Sequence, residues 1–208
     1  MPEGEDLLAI PVREFLARTA AKSPTPGGGS VAALVGALAA ALGEMSLNFT
    51  RGKKKYAAHE AWYAELAGRL AAGRAGFEQL VADDVAAYGL YQSAAGLPDD
   101  DPTRAAAQAQ ALQAAIAVPR RAAQASLALL GDLRAFVDKC NPYLLSDLVA
   151  AASLAVATLR LSDYNVRINA RQMADAAAAR QLRQASRDDV RRGAELRDRI
   201  EQLAEAHL

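Results

Sequence analysis

One cysteine, Cys140, and two histidines, His59 and His207, are all the soft and imidazole ligands that 208 residues offer. A single thiol excludes an intrachain disulfide and suits a reducing compartment, so a cytoplasmic location is expected. A Cys/His metal centre cannot be assembled from so few ligands, and no metal is expected. The formal net charge is +0. It exerts no global pull toward nucleic acid or an anionic membrane, and neither partner is expected. A basic, apolar leader is missing as well: the first ten residues carry Glu3, Glu5 and Asp6, so no signal peptide is read there. The apolar run Val31–Gly43 ends at Glu44, short of the roughly 20 residues that span a bilayer. Nucleotide motifs fail too. No Gly-Lys-[Ser/Thr] follows the glycines at 27–29, and Ala32 stands where a dinucleotide fingerprint needs glycine, so no nucleotide cofactor is expected.

What the chain has instead is alanine, about a quarter of all residues, with abundant Leu, Arg, Gln and Glu. These are strong helix formers. The expected fold is a single all-α domain over residues 1–208, an up-and-down bundle of about six helices, several of them long. The first runs from Pro11, as the N1 residue, to about Ala21. The second runs from Ser30 to about Thr50, and the third from about Ala58 to Ala95. The fourth spans about Thr103 to Lys139, with a kink or break near Pro119. The fifth begins near Tyr143–Ser146, with an unbroken course to about Gln184 open to it. A charged peripheral helix follows from Ser186.

Three features stand out as candidate chemistry. Ser23-Pro24-Thr25-Pro26-Gly27-Gly28-Gly29-Ser30 reads as a tight turn into a buried helix, with Ser30 as N-cap. Its free N–H groups and dipole offer an anion site; a close-packed loop whose glycines only let the backbone pass another helix is the plainer reading. Gly29, Gly36 and Gly43 recur every seven residues and invite a neighbouring backbone. In the third helix the apolar stripe Tyr63, Leu66, Leu70, Phe77, Leu80 continues to Asp84 and then Tyr88, while Asp83 faces outward. A carboxylate on such a stripe needs a partner or a raised pKa. A neighbouring arginine is the plain alternative. Finally, Asp147, Ala151, Leu154, Thr158, Asn165 and Asn169 share one face of a continuous helix, giving either a polar groove or the caps of a break near Asp163.

Several segments together resemble the cyclodeaminase/methenyltetrahydrofolate cyclohydrolase family, from about Val12 to Asp175. They are Pro26-Gly27-Gly28-Gly29-Ser30-Val31-Ala32-Ala33, Met45 with Thr50-x-Gly52-Lys53-Lys54-Lys55-Tyr56, Asp84 with Tyr88, Val118-Pro119, Asn141 with Ser146-Asp147-Leu148, and Asn165-Val166-x-Ile168-Asn169. The resemblance implies a homodimer acting on a tetrahydrofolate derivative, with Asp84 catalytic. It places Gly27, Gly28, Gly29, Ser30, Lys53, Lys54, Tyr88, Asp147, Asn165 and Asn169 around the substrate. Lys53 and Lys54 are expected to attract a polyglutamate tail, or else form a solvated turn. The expected reaction is cyclodeamination of 5-formiminotetrahydrofolate. Methenyltetrahydrofolate cyclohydrolase is the alternative, and a non-catalytic folate-binding or scaffold homologue the further one. Cys140, Glu44 and Leu161-Ser162-Asp163 depart from the small residues usual in the family, which suggests a bulkier groove wall. The dimer has a physical reason also. Leu34, Leu38, Leu42 and Met45 lie one face away from the glycines, so the second helix needs cover on every side.

Overall fold

The computed structural model describes residues 6–206. Glu3, Glu5 and His207 lie outside the described residues. Among those described there are six α-helices and no strand: α1 Val12–Ala20, α2 Gly28–Asn48, α3 Glu60–Ala95, α4 Arg104–Phe136, α5 Leu145–Asn169 and α6 Ala176–Glu205. Helices α2, α3, α4 and α5 run alternately up and down and close a ring, each packing on the next and α5 on α2. Helix α6 lies outside this ring against α4 and α5.

The core follows the predicted stripe: Tyr63, Leu66, Leu70, Phe77 and Leu80 of α3 are buried, against Leu130, Leu133 and Phe136 of α4 and Leu145, Leu148 and Ala151 of α5. The seven-residue glycine ladder of α2 meets a seven-residue ladder running the other way on α3. A Cβ on Gly29 would stand 2.0 Å from Asp84 Oδ1, one on Gly36 2.5 Å from the Phe77 ring, and one on Gly43 3.5 Å from Leu70. The glycines thus serve a close contact inside the subunit. The opposite face of α2 is the uncovered one, with Leu38 51% exposed and Phe49 57%.

Three sequence expectations are corrected, and a fourth, the kink or break near Pro119, loses only its second alternative. Helix α2 opens at Gly28 with Gly27 as N-cap, because Ser30 turns inward to another partner. Pro11 is the N-cap of α1, one residue before its expected place. Helix α4 continues through Pro119 without a break. The fifth helix stops at Asn169, and α6 starts afresh at Ala176, where the Asp175 carboxylate accepts from the Ala177 and Ala178 N–H groups. The break therefore lies after Asn169 and not near Asp163. Asp163 is buried mid-helix, holding Arg167 and accepting from Ser186 of α6 at 2.8 Å.

The apolar course of α2 is also longer than its unbroken run suggests. Gly28–Asn48 and Pro142–Gln172 are both long and apolar enough to cross a membrane by length and composition, with 56% and 44% of their most apolar windows buried inside the fold.

Candidate active site

The N-terminal turn of α2, the second half of α3, the first half of α4 and the C-terminal end of α5 enclose a cleft of about 1390 Å³. Small-ligand sites are typically about 300–1,000 Å³, so a ligand with a ring system and a tail has room here.

Asp84 sits at its wall. The Ser30 hydroxyl, fully buried in the first turn of α2, donates to Asp84 Oδ2 at 2.7 Å. The other carboxylate oxygen lies over Gly29, in space that any side chain would fill. The anion at the positive end of α2 is thus supplied by the protein's own third helix. The required partner of Asp84 is a serine and not an arginine. Asp83 takes the arginine: it faces outward and accepts from Arg121 at 2.6 Å and Gln79 at 2.9 Å. The glycines of the turn are unequal. Gly29 makes room for Asp84, Gly27 passes the Pro24 carbonyl oxygen with only 3.0 Å to spare for a Cβ, and Gly28 faces open space.

Tyr88 lies one turn beyond Asp84 in the same wall, its ring 6.1 Å from that of Tyr91. Two aromatic faces side by side suit a planar heterocycle. Across the cleft α5 presents Ser162, Asn165 and Asn169.

Asn169 already has one task. Pro119 lacks an N–H, so the carbonyl four residues earlier, at Ala115, loses its helical donor. Asn169 Nδ2 donates to that carbonyl oxygen at 2.7 Å. The side chain thereby ties α5 to α4 where the proline frees a carbonyl, and its amide oxygen remains as an acceptor. The sequence did carry this signal, a proline inside a helix beside a polar helix end, but spacing within one helix cannot pair it with a residue of another.

Gly29, Ser30, Asp84, Tyr88, Asn165 and Asn169 therefore come together, with Gly27 and Gly28 in the adjoining turn. Lys53, Lys54 and Asp147 do not join them within one subunit. The two lysines follow the far end of α2, about 30 Å away by the rise of its 21 residues. Asp147 is near the start of α5, where it adds a small electrostatic push to the rise that burial gives the Cys140 thiol pKa. The six-residue polar stripe of α5 is not a continuous groove. Ala151 and Thr158 in its middle are fully buried, with Thr158 Oγ1 donating back to Leu154. Nor do the departures build a bulkier wall. Cys140 is buried at the far end beside Thr50, Glu44 binds Arg74 at 2.6 Å, and Leu161 is on the outer surface. Of these positions only Ser162 borders the cleft. Arg104 and Arg120 also line it, cations that no helical spacing singled out. Among the described residues no group of three metal-ligating side chains occurs.

Residues 11–188 match the family model described as formiminotransferase-cyclodeaminase. The chain is 35% identical over 172 residues to the methenyltetrahydrofolate cyclohydrolase of Methylorubrum extorquens, covering 81% of this chain and 83% of that protein. It is 33% identical over 184 residues to the formimidoyltransferase-cyclodeaminase of Sus scrofa, covering 86% of this chain but 34% of that protein, so it spans about a third of the longer relative. The crystal structure of a formiminotetrahydrofolate cyclodeaminase from Thermotoga maritima superposes with a TM-score of 0.86 at 26% identity, over 96% of this chain and 98% of that one. With these matches and this site, the chain belongs to the formiminotransferase-cyclodeaminase family of one-carbon folate enzymes.

Proposed function

We propose that the chain is a formiminotetrahydrofolate cyclodeaminase, closing 5-formiminotetrahydrofolate to 5,10-methenyltetrahydrofolate with release of ammonia. The observation that carries this reading is Asp84, a half-buried carboxylate held by Ser30 over Gly29 at the wall of a large cleft. N10 of the substrate attacks the carbon of the protonated formimino group and forms the second C–N bond. Asp84 takes the proton from N10 and delivers it to the amino nitrogen, which departs as ammonia. The positive charge stays on the methenyl bridge and the carboxylate is regenerated. Tyr88 and Tyr91 offer faces to the rings, and Asn165 offers hydrogen bonds to their polar edges.

The second reading is methenyltetrahydrofolate cyclohydrolase. The relative in Methylorubrum extorquens favours it, since that protein is matched over 83% of its length. There Asp84 would take a proton from water as its oxygen adds to the methenyl carbon and return it to N5 as the bond from that carbon to N5 opens, the hydroxyl proton being released to solvent as the formyl carbonyl forms. Purified protein offered each substrate separates the two: ammonia release with rising methenyl absorbance supports the first, falling methenyl absorbance the second. Folate binding without either turnover refutes both and leaves a non-catalytic homologue.

A homodimer belongs to the same proposal. Leu38 of α2 and Tyr164 and Ile168 of the antiparallel α5 are exposed apolar side chains on two helices that pack together. A second copy docked there by a two-fold axis near Leu38 would carry the Lys53–Lys54 turn of one copy toward the cleft of the other. That arrangement supports a role for both lysines on an anionic folate tail, and one for Asp147 beside them.

A further inference from the structure

Among the described residues, the other buried serine and threonine hydroxyls on the helices are paired. Ser46, Ser126 and Thr158 donate back to the carbonyls of Leu42, Ala122 and Leu154, Ser30 donates to Asp84, and Ser186 donates to Asp163. Ser162 is the exception. It is fully buried, and its Oγ has no hydrogen-bond partner among the described residues. Thr158, one turn earlier on the same helix, makes the back-bond that Ser162 does not. An unpaired buried hydroxyl costs about 1–3 kcal/mol, so a paired state is expected somewhere in the working cycle.

Ser162 borders the cleft, and its neighbours on that face of α5 are Asn165 and Asn169, three and seven residues on. The Asn165 side chain likewise makes no hydrogen bond to a described residue, whereas the Asn169 amide nitrogen is already engaged at Ala115. Ser162 Oγ is buried, so the part of a ligand that pairs with it must itself leave water. A charged glutamate tail would lose its hydration there at high cost, whereas a neutral ring edge with donors and acceptors would gain partners.

We propose that Ser162 is a substrate-binding and specificity-determining residue, whose hydroxyl pairs with the polar edge of the pterin ring of a tetrahydrofolate. It rests on the folate reading above.

The test compares wild type with Ser162→Ala, measuring melting temperature, KM and kcat on whichever folate is turned over, and Kd for 5-formyltetrahydrofolate and for a tetrahydropterin without the benzoylglutamate. Removing an unpaired buried hydroxyl leaves the fold intact or steadier, so the melting temperature is expected to hold or rise. KM and both Kd values are expected to increase about tenfold, the worth of one good hydrogen bond, with kcat little changed. Unchanged Kd values in the variant overturn the inference while leaving the folate reading standing. A loss confined to the folate, with the pterin fragment unaffected, overturns the ring assignment. If wild type binds neither probe, the folate reading fails and this inference with it.

Discussion

Replacing Gly29 by alanine tests whether the site depends on the close seating of Asp84. The added Cβ would stand 2.0 Å from Asp84 Oδ1 and 2.6 Å from its Cγ. Reaching an ordinary contact of 3.4 Å requires the carboxylate to retreat by about 1.4 Å. Such a retreat breaks the 2.7 Å bond from Ser30, unless the first turn of α2 moves too. Alanine gains about 1 kcal/mol over glycine in a helix. Overpacking costs about 1–3 kcal/mol and the lost charge-assisted bond about 1.5–3. Net destabilisation is then about 1.5–5 kcal/mol. The catalytic loss is larger in effect, because a misplacement of about 1 Å costs about 100-fold in rate. Steady-state assays on folded protein, confirmed by its melting curve, should therefore show kcat about 100-fold down. Gly28→Ala is the control: nothing lies within 4 Å of its Cβ, and activity should be retained. A Gly29→Ala enzyme as active as Gly28→Ala would show that the close seating of Asp84 is not needed.

Asn169→Ala should cost about 1–3 kcal/mol by stranding the Ala115 carbonyl, and much less in a Pro119→Ala background, where residue 119 regains its N–H. Additive effects in urea unfolding would contradict that pairing. Burial pushes the Cys140 thiol up to about 11 from 9.0, outweighing the opposing hydrogen bonds of Thr50 and Asn141. The native protein should therefore resist thiol reagents at neutral pH. Because the folded form holds this proton more tightly, its stabilising effect is complete below about pH 9 and is lost toward pH 11, and Cys140→Ala should flatten that part of the stability profile. Tyr63, pushed up to about 12 by burial first and by Tyr56, Cys140 and Glu60 after it, adds a similar fall at higher pH. Leu38→Asp should give a folded monomer of 21.9 kDa by light scattering and abolish any low-salt preference for polyglutamylated substrate. A wild-type mass of 21.9 kDa would contradict the dimer.

The buried face of α3 was legible because Tyr63, Leu66, Leu70, Phe77 and Leu80 repeat at helical spacing, and the same spacing carried Asp84 to the cleft. The glycine ladder of α2 was legible as a place of close approach, but not its occupant. A stripe in one helix does not say whether α3 or a second copy lies on it, although the matching interval of seven in Phe77 and Asp84 was present. For that reason Gly36, which meets Phe77, is a poor place to weaken a dimer, and Leu38 a good one. The end of α5 was hidden because Ala170 to Gln184 contains neither glycine nor proline and is rich in helix formers. Side chains make the break instead, with Asn169 drawn to Ala115 and Asp175 capping the next helix. Ser162 was noted only as part of a departure. Its unpaired state is a property of packing that spacing does not encode.

In the proposed reaction Asp84 moves the proton. Asp84→Asn keeps the shape of the side chain and can still pair with Ser30, but its amide cannot take a proton from N10. Single-turnover rates measured beside folate Kd and melting temperature should show the rate falling by at least about 100-fold while binding and fold are kept. A variant that turns over within a few fold of wild type would show that the proton travels by another group.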